Sequence, residues 1–183
     1  VIARDPTISR GKRVDALRAL NREVAIAMDA DFVGFWFYDK DRHQVISEAN
    51  FERATNHWSD GAVLKEVDAP TYFSVLKQER LIAVEDCFTS PVTAEFKESY
   101  CVPHNIRSLL DVPVLFDGEI VGIICCEIVG EERRWSSEDK FFALIAADFI
   151  GRILEADHRR HLATLLAQEN LRMGETQLKA LLT

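Results

Sequence analysis

The sequence predicts an α+β domain: a central antiparallel β-sheet of five to six strands, with helices on both faces and a long C-terminal helix. Three observations lead to this fold class. Aromatic and β-branched runs occur as hairpin pairs, short helical segments separate those pairs, and an amphipathic segment stands at each end of the chain. We expect the first and last helices to cover one sheet face. The short helices and a loop at 52–69 would cover the other.

The composition excludes several classes of protein. The chain has 183 residues, 48% of them hydrophobic, which is enough to bury a core. A net charge of −8 disfavours a nucleic-acid surface, because phosphate binding needs clustered Lys and Arg. The longest uncharged apolar stretch, Ile120–Cys126, is too short to span a bilayer, so we expect no membrane contact from this segment. Cys87, Cys101, Cys125 and Cys126 form no CxxC motif, which predicts reduced thiols in a cytoplasmic protein.

The N-terminal third predicts a helix followed by a hairpin. Apolar residues recur at helical spacing over about residues 10–29. Apart from Gly34, the run Phe32 to Tyr38 is aromatic or β-branched, which indicates a strand buried on both faces. A polar turn at 39–42 then returns the chain as a second strand at 44–51.

The middle of the chain predicts short elements. Residues 52–69 show no clear periodicity and are expected to be irregular. Pro70 suits the first position of a helix that runs to Gln78. A short strand at 81–84 and a second short helix at 92–100 follow.

The C-terminal half predicts a long hairpin and then a long helix. Strands at 107–116 and 119–129 flank Asp117-Gly118, a strong signal for a type I′ turn. Ser136 and Asp139 have the spacing of a capping box, so a helix is expected to start there. Its expected buried face, at i, i+3, i+4 and i+7 spacing, consists of Phe142, Ile145, Ala146, Phe149, Ile150 and Ile153.

The same helix continues toward the C-terminus with a four-three repeat typical of coiled coils. Half of the positions are polar, so the coiled coil would be weak alone, and a neighbouring apolar stripe competes with it. The repeat comprises Ile150, Leu154, Asp157, His161, Thr164, Gln168, Leu171, Glu175, Leu178 and Leu182. The competing stripe comprises Leu162, Leu165, Leu166, Met173 and Ala180. We expect a parallel homodimer through the terminal helices, against the alternative of a helix that packs wherever it can.

The order of elements and several local strings resemble the GAF family of small-molecule sensors over about residues 9–158. The strings are Phe35–Asp39, Pro103–Pro113, Asp117–Gly122, Ile123–Glu127 and Trp135–Asp139. The resemblance implies a GAF-like sensor domain at 1–158 of a bacterial signal-transduction protein. It also implies a signalling helix at 159–183 that leads to a PAS, histidine-kinase or diguanylate-cyclase (GGDEF) module, as in two-component systems.

The sequence departs from two ligand-binding patterns of that family. It lacks the asparagine-lysine-phenylalanine-aspartate-glutamate set of cyclic-nucleotide-binding members. It also lacks the Cys-His pair of many tetrapyrrole-binding members, because Val102 follows Cys101 and Phe88 follows Cys87. The small-molecule ligand is therefore unidentified, and any cofactor is unknown.

Polar residues before and within the central strands form the candidate cavity, on turns that GAF-like proteins use to line one. Arg107 could hold an anionic ligand with its two-pronged guanidinium, and His57 could approach from the irregular loop. Alternatively, Arg107 pairs with Asp86 or Asp111 at a strand end, and Tyr100 caps the core. The candidate set is Trp36, His57, Asp86, Tyr100, His104, Arg107 and Asp111.

These features favour a regulatory module that is not itself an enzyme, with no catalytic residue and no metal site. His158 and His161 lie three apart on the last helix, but no further ligands complete a tetrahedral set. The four cysteines are interpreted as buried structural thiols. Two alternatives stay open: a thiol-dependent reductase of free methionine sulfoxide that uses Cys87, Cys101 and Cys125, and a ligand-free dimerisation spacer.

Overall fold

The computed structural model describes residues 10–181, and within that range the chain forms one antiparallel sheet of seven strands and three α-helices. The strands are β1 (Phe32–Tyr38), β2 (Gln44–Glu52), β3 (His57–Ser59), β4 (Val63–Lys65), β5 (Ile82–Val84), β6 (Ile106–Phe116) and β7 (Glu119–Val129). The helices are α1 (Arg10–Ala27), α2 (Pro70–Gln78) and α3 (Ser137–Leu181). The sheet order is β3-β2-β1-β7-β6-β5, and β4 also pairs with β2. The predicted fold class is confirmed.

The strand count exceeds the prediction because the loop expected at 52–69 contains β3, β4 and a 3₁₀ turn at Glu66–Asp68. Both strands pair with the outer edge of β2, β4 near its start and β3 near its end. Between them, Ala49 adopts a φ of +56° in a β-bulge, and its carbonyl accepts a 2.8 Å hydrogen bond from the Asn21 side chain. Three-residue strands are too short to show alternation, so no pattern in the sequence indicates them.

The helix predicted at 92–100 is wrong. The segment consists of turns that end in a π-helical turn at Lys97–Cys101. Thr93 is fully buried, and its hydroxyl donates a 2.7 Å hydrogen bond to the Cys87 carbonyl. Such side-chain bonds compete with a helical ladder, which explains the irregular backbone.

One face of the sheet is covered by α1 and α3 together, as predicted. The capping box at the start of α3 is confirmed: the Asp139 N–H donates to Ser136 Oγ at 3.0 Å, and the Ser136 N–H donates to Asp139 Oδ2 at 2.9 Å. Arg133 joins the two helices, because its guanidinium donates to the Met28 carbonyl after α1 (2.6 Å) and to Asp139 (2.9 Å).

The face by which α3 contacts the sheet differs in part from the prediction: Ala146 and Ile150 are buried as expected, whereas the large aromatic positions are not. Phe142, Ile145 and Phe149 were expected to be buried, yet their exposed fractions are 38%, 38% and 53%. The helix is seated instead on mostly small residues, which allow a closer approach: Ala143, Ala146, Ala147, Ile150, Gly151 and Leu154. At Gly151 even a Cβ would lie 2.7 Å from the Leu115 carbonyl oxygen.

The predicted four-three repeat is therefore partly used within the domain. Its first members Ile150 and Leu154 belong to the core formed with this chain's own sheet and α1, and Asp157 is also buried. From residue 162 to residue 177, α3 is exposed along its whole length. The last members, Leu178 and Leu182, lie outside the described side chains. Within residues 10–181, no helix combines the length and apolar character that crossing a bilayer requires.

The other sheet face carries a second core, built by α2, β4, β5 and the turns at 85–101. Phe73 and Leu76 of α2 are fully buried there. Covering elements from different parts of the chain meet over the middle of β6 and the second half of β7, and they leave a cavity between them.

Candidate ligand-binding cavity

A cavity of about 180 Å³ lies between the sheet and the elements that cover its second face. Its mouth is formed by Val63 in β4, which is 50% exposed, and by Ser99 in the π-helical turn. The lining residues are Trp36, Val45, Ala62, Val63, Leu64, Tyr72, Phe96, Ser99, Tyr100, Leu109, Asp111, Ile123, Cys125 and Glu127. The walls are mostly apolar and aromatic, which is typical of small-molecule sites.

The floor of the cavity carries two carboxyl groups on adjacent strands. In the β6–β7 ladder, Asp111 lies opposite Cys125 and Leu109 lies opposite Glu127. Because side chains alternate between the faces of a strand, all four of these residues point to the cavity face. Asp111 and Glu127 are diagonal neighbours there, and each is only 3% exposed.

Two tyrosines from the covering elements hold these carboxyl groups. The Tyr72 hydroxyl, on α2, donates to Asp111 Oδ2. The Tyr100 hydroxyl, in the π-helical turn, lies 2.8 Å from Glu127 Oε1 and 3.1 Å from Oε2. The Cys125 thiol is 3.5 Å from Glu127 Oε1. Each carboxyl therefore connects the sheet to a different covering element.

The carboxyl groups are hard to ionise. Burial raises the pKa of Asp111 to about 6, although the hydrogen bonds from Cys125 and Tyr72 oppose the change. Burial also raises the pKa of Glu127 to about 7; the Tyr100 hydrogen bond lowers it, and the Asp111 charge adds to the rise. Within the described residues, the lining includes no Arg, Lys or His. Nothing in the cavity wall compensates a negative charge there.

A second depression, of about 420 Å³, lies where α3 crosses β6 near the end of α2. The charged side chains on its rim are exposed, and Arg152 is paired with Asp148 at 2.8 Å. Its described lining residues include no buried polar group of the kind found at Asp111, so the cavity that Asp111 lines is the better candidate site.

The family model for GAF domains matches residues 13–154. This chain belongs to the GAF domain family. No curated protein matches the sequence.

Solved structures share the GAF fold with this chain at low sequence identity. The blue-light absorbing form of the Thermosynechococcus elongatus PixJ GAF domain aligns with a TM-score of 0.67 and 17% identity, over 86% of this chain and 92% of that one. A domain of a putative two-component sensor histidine kinase from Sinorhizobium meliloti aligns with a TM-score of 0.64 and 17% identity, over 85% and 99%. The free methionine-R-sulfoxide reductase of Neisseria meningitidis, in complex with its substrate, gives 0.65 and 14%, over 81% of each chain. At such identities the likeness establishes the fold alone.

Three of the predicted site residues line the cavity of this GAF domain: Trp36, Tyr100 and Asp111. The Trp36 and Tyr100 rings meet edge to face, with their centroids 6.2 Å apart. Tyr100 does more than cap the core, since its hydroxyl holds Glu127.

Arg107 and Asp86 lie outside the cavity lining and pair with each other at 3.0 Å. Arg107 also contacts Glu132 at 2.6 Å, and its guanidinium lies 4.4 Å from the centroid of the Phe88 ring. Arg107 therefore forms the ion pair with Asp86 that was the alternative to holding an anionic ligand.

The two predicted histidines are also outside the lining. His57 is exposed on β3, where it pairs with Glu52 in the ladder. His104 is exposed, and its ring centroid lies 5.2 Å from that of Tyr100. His104 therefore packs against Tyr100, which lines the cavity, and is not itself part of the lining.

Tyr72, Cys125 and Glu127 are cavity residues that were not among the predicted site residues. Glu127 could have been found from the sequence, because an acidic residue within the apolar run of β7 is expected to be buried. Burial of a carboxyl group is costly without a hydrogen-bond partner, so such a residue points to a partner or a functional role. Tyr72 had none, since an aromatic residue on a short helix usually indicates core packing.

The four thiols are all free and buried. Burial raises the pKa of Cys125 and of Cys126, and nearby Asp111 and Glu127 raise both further. A hydrogen bond with Cys101, together with burial, raises the pKa of Cys87. Because the thiolate is the reactive form, these surroundings suit structural thiols. Within residues 10–181, no cluster of His, Cys, Asp and Glu has the makings of a metal site.

Proposed function

We propose that this GAF domain is a non-catalytic sensory module of a multidomain bacterial signalling protein. A small molecule enters the cavity, and α3 passes the occupancy of the cavity to an output module beyond Thr183, such as a PAS, histidine-kinase or diguanylate-cyclase module. In this proposal residues up to 158 form the sensor and residues 159–183 form the signalling helix.

One observation carries this proposal: one face of β6 lines the cavity, and its other face packs against α3. Asp111 projects into the cavity, whereas Val112 and Val114 belong to the core beneath α1 and α3. The Leu115 carbonyl, in the same strand, is the group that Gly151 of α3 approaches. A displacement of β6 by a ligand would therefore reach the helix directly.

A ligand changes the output only if it binds two arrangements of the domain with different affinity. A tenfold preference corresponds to about 1.4 kcal/mol. The seat of α3 on small residues supports two such arrangements, because few side chains have to interdigitate again when the helix shifts.

The proposal is tested by native mass spectrometry followed by hydrogen exchange. We expect the purified chain to retain a small molecule that is lost on unfolding and refolding. Removal of that molecule is expected to change exchange rates both in β6 and in residues 142–166 of α3. Retention of the molecule with exchange changes confined to the cavity would contradict transmission through the helix.

The thiol reductase is a second candidate, because the fold is shared with the Neisseria enzyme. The buried, hard-to-ionise thiols count against it. A coupled assay with free methionine sulfoxide decides the matter. Turnover that disappears when Cys87, Cys101 and Cys125 are replaced by serine would establish the reductase. The spacer alternative gains if no small molecule is retained and a broad metabolite panel gives no thermal shift.

A further inference from the structure

The floor of the cavity has an acceptor atom without a matching donor. Asp111 Oδ1 is buried and accepts no hydrogen bond of good geometry from the described residues. The neighbouring Cys125 thiol is a weak donor with one proton, and that proton also has Glu127 Oε1 within 3.5 Å. A buried carboxylate oxygen without a strong donor is costly, so a donor from outside the chain would stabilise it.

Among the residues that the structure describes, the same two carboxyl groups also have no positively charged partner. Other buried carboxylates of this chain have one: Glu48 contacts Arg13 at 3.2 Å, and Asp157 contacts Arg160 at 3.3 Å. In the described part of the chain, the polar groups that contact Asp111 and Glu127 are tyrosine hydroxyls and a thiol. The missing component is a cation with hydrogen atoms to donate.

The walls suit such a cation. Tyr72 packs edge to face on Phe96 with ring centroids 5.3 Å apart, and Trp36 packs in the same way on Tyr100. Aromatic faces attract cations, most strongly where water is excluded. The apolar remainder of the wall, such as Leu109 and Ile123, provides space for a short hydrocarbon portion.

We propose that the cavity binds a small organic cation with N–H donors, a protonated amine or a guanidine, whose nitrogen lies between Asp111 and Glu127. A volume of about 180 Å³ is similar to cavities of roughly 150 Å³ that accept a benzene molecule, so the ligand has on the order of ten non-hydrogen atoms. This assignment rests on the proposed function, because it names the ligand class of the same cavity.

Binding is expected to strengthen as the pH rises. The titratable groups facing the site are Asp111 on β6, Cys125 and Glu127 on β7, Tyr72 on α2 and Tyr100 in the π-helical turn. The cation requires ionised carboxylates, and burial raises the pKa of both carboxyls, to about 6 and about 7. The tyrosines and the thiol remain protonated, because burial and the carboxylates raise the pKa of each. Binding near pH 6.5 should therefore release protons.

The test uses matched cationic and neutral probes: benzylamine with benzyl alcohol, and isobutylguanidine with isobutylurea. Calorimetry on the full chain, at pH 8.0 and at pH 5.5, measures the affinity of each. We expect at least one cationic probe to bind tenfold more tightly than its neutral partner at pH 8.0, and to lose at least tenfold at pH 5.5.

Two variants locate the site. Asp111→Asn and Glu127→Gln keep the shape of the floor but remove its charge, and each is expected to weaken the cationic probe at least tenfold. Asp86→Asn, the same change on a carboxylate outside the cavity, is expected to leave binding unchanged. Circular dichroism confirms that each variant is folded.

Three results would overturn the inference: equal binding of an amine and its alcohol, tighter binding at pH 5.5, or no cationic probe bound at 10 mM. A neutral molecule retained in native mass spectrometry would also overturn it, while the sensory role would stand. Loss of the sensory role, by contrast, would appear as unchanged exchange in α3 whatever the cavity binds.

Discussion

At the scale of single residues, the carboxyl groups on the floor of the cavity lower the stability of the fold but give the cavity polar groups that can bind a ligand. Asp111 and Glu127 occupy positions in central strands where apolar side chains would pack without an electrostatic cost. Buried, hard-to-ionise groups that border a cavity are more common at functional sites than in ordinary cores. Asp86 shows the opposite situation at a strand end, where its hydrogen bonds and the ion pair with Arg107 support the charged form.

The two kinds of carboxyl predict opposite responses of stability to pH. A carboxyl whose pKa is raised on folding binds its proton more tightly in the folded state. It therefore lowers the free energy of unfolding as the pH rises from about 4, its value in the unfolded chain, to about 6 or 7. Asp111→Asn should remove this loss, so the variant gains about 3 kcal/mol relative to the parent between pH 4 and pH 8.

Asp86→Asn provides the contrast. Burial opposes ionisation of Asp86, but hydrogen bonds from Phe88 and Thr89 and the charge of Arg107 outweigh it and lower its pKa. Its stabilisation is present above the unfolded pKa and is lost as the pH falls through the lower folded value. Urea unfolding across the pH range measures both variants. Curves for Asp111→Asn and the parent that stay parallel would refute the assignment of a raised pKa.

At the scale of elements, the seat of α3 is the arrangement that the sequence predicted least well. Three large residues expected beneath the helix, Phe142, Ile145 and Phe149, are turned outward, and alanines lie beneath together with the expected Ile150. Both faces of this helix are apolar, so periodicity alone cannot select one of them. The choice depends on how closely the backbone can approach β6, a tertiary property.

Gly151 tests that close approach. In Gly151→Ala the new Cβ would stand 2.7 Å from the Leu115 carbonyl oxygen, so the helix or the strand must shift. We expect a loss of about 1–3 kcal/mol in the free energy of unfolding, despite the better helix propensity of alanine. Gly174→Ala is the matched control on the same helix, because no atom of the described residues lies within 4 Å of its added Cβ. Urea unfolding should show no loss for the control. A similar gain in both variants would mean that helix propensity alone decides.

Local chemistry accounts for what the sequence predicted correctly. The capping box, the positive φ angles of Asp117 and Gly118 in the β6–β7 turn, and the start of α2 at Pro70 are each set by a few neighbouring residues. The short edge strands and the π-helical turn depend on partners distant in the sequence. For the same reason, only some of the residues that line the cavity could be predicted. Asp111 and Tyr100 could be placed near the central strands, but the ladder register that brings Glu127 beside Asp111 could not.

At the scale of the whole molecule, the outward residues of α3 start a seam that the predicted repeat did not include. With a four-three spacing, one set of positions is Phe142, Phe149, Ala156, Ala163 and Asn170, and the other is Ile145, Arg152, Arg159, Leu166 and Met173. The apolar members are exposed or half-buried in the single chain. We propose that a second copy of the chain packs in parallel along this seam, and a polar residue such as Asn170 would set its register.

Substitutions at two adjacent leucines can distinguish packing along this seam from packing through any exposed apolar surface. Leu166 lies on the seam and Leu165 lies off it, and both are exposed. We expect the parent to sediment as a dimer at tens of micromolar, Leu166→Asp to weaken the dimer at least tenfold, and Leu165→Asp to behave as the parent. A monomeric parent, or a larger effect of Leu165→Asp, would rule out this seam.

The contact between Gly151 and Leu115 is also a pivot point about which α3 can tilt. From Gly151 to the end of α3 there are thirty residues, a rod of about 45 Å at 1.5 Å per residue. A tilt of about 5° at that point would swing the far end of such a rod by roughly 4 Å. The angular change needed at the strand is thus small, since the length of the helix supplies the amplification.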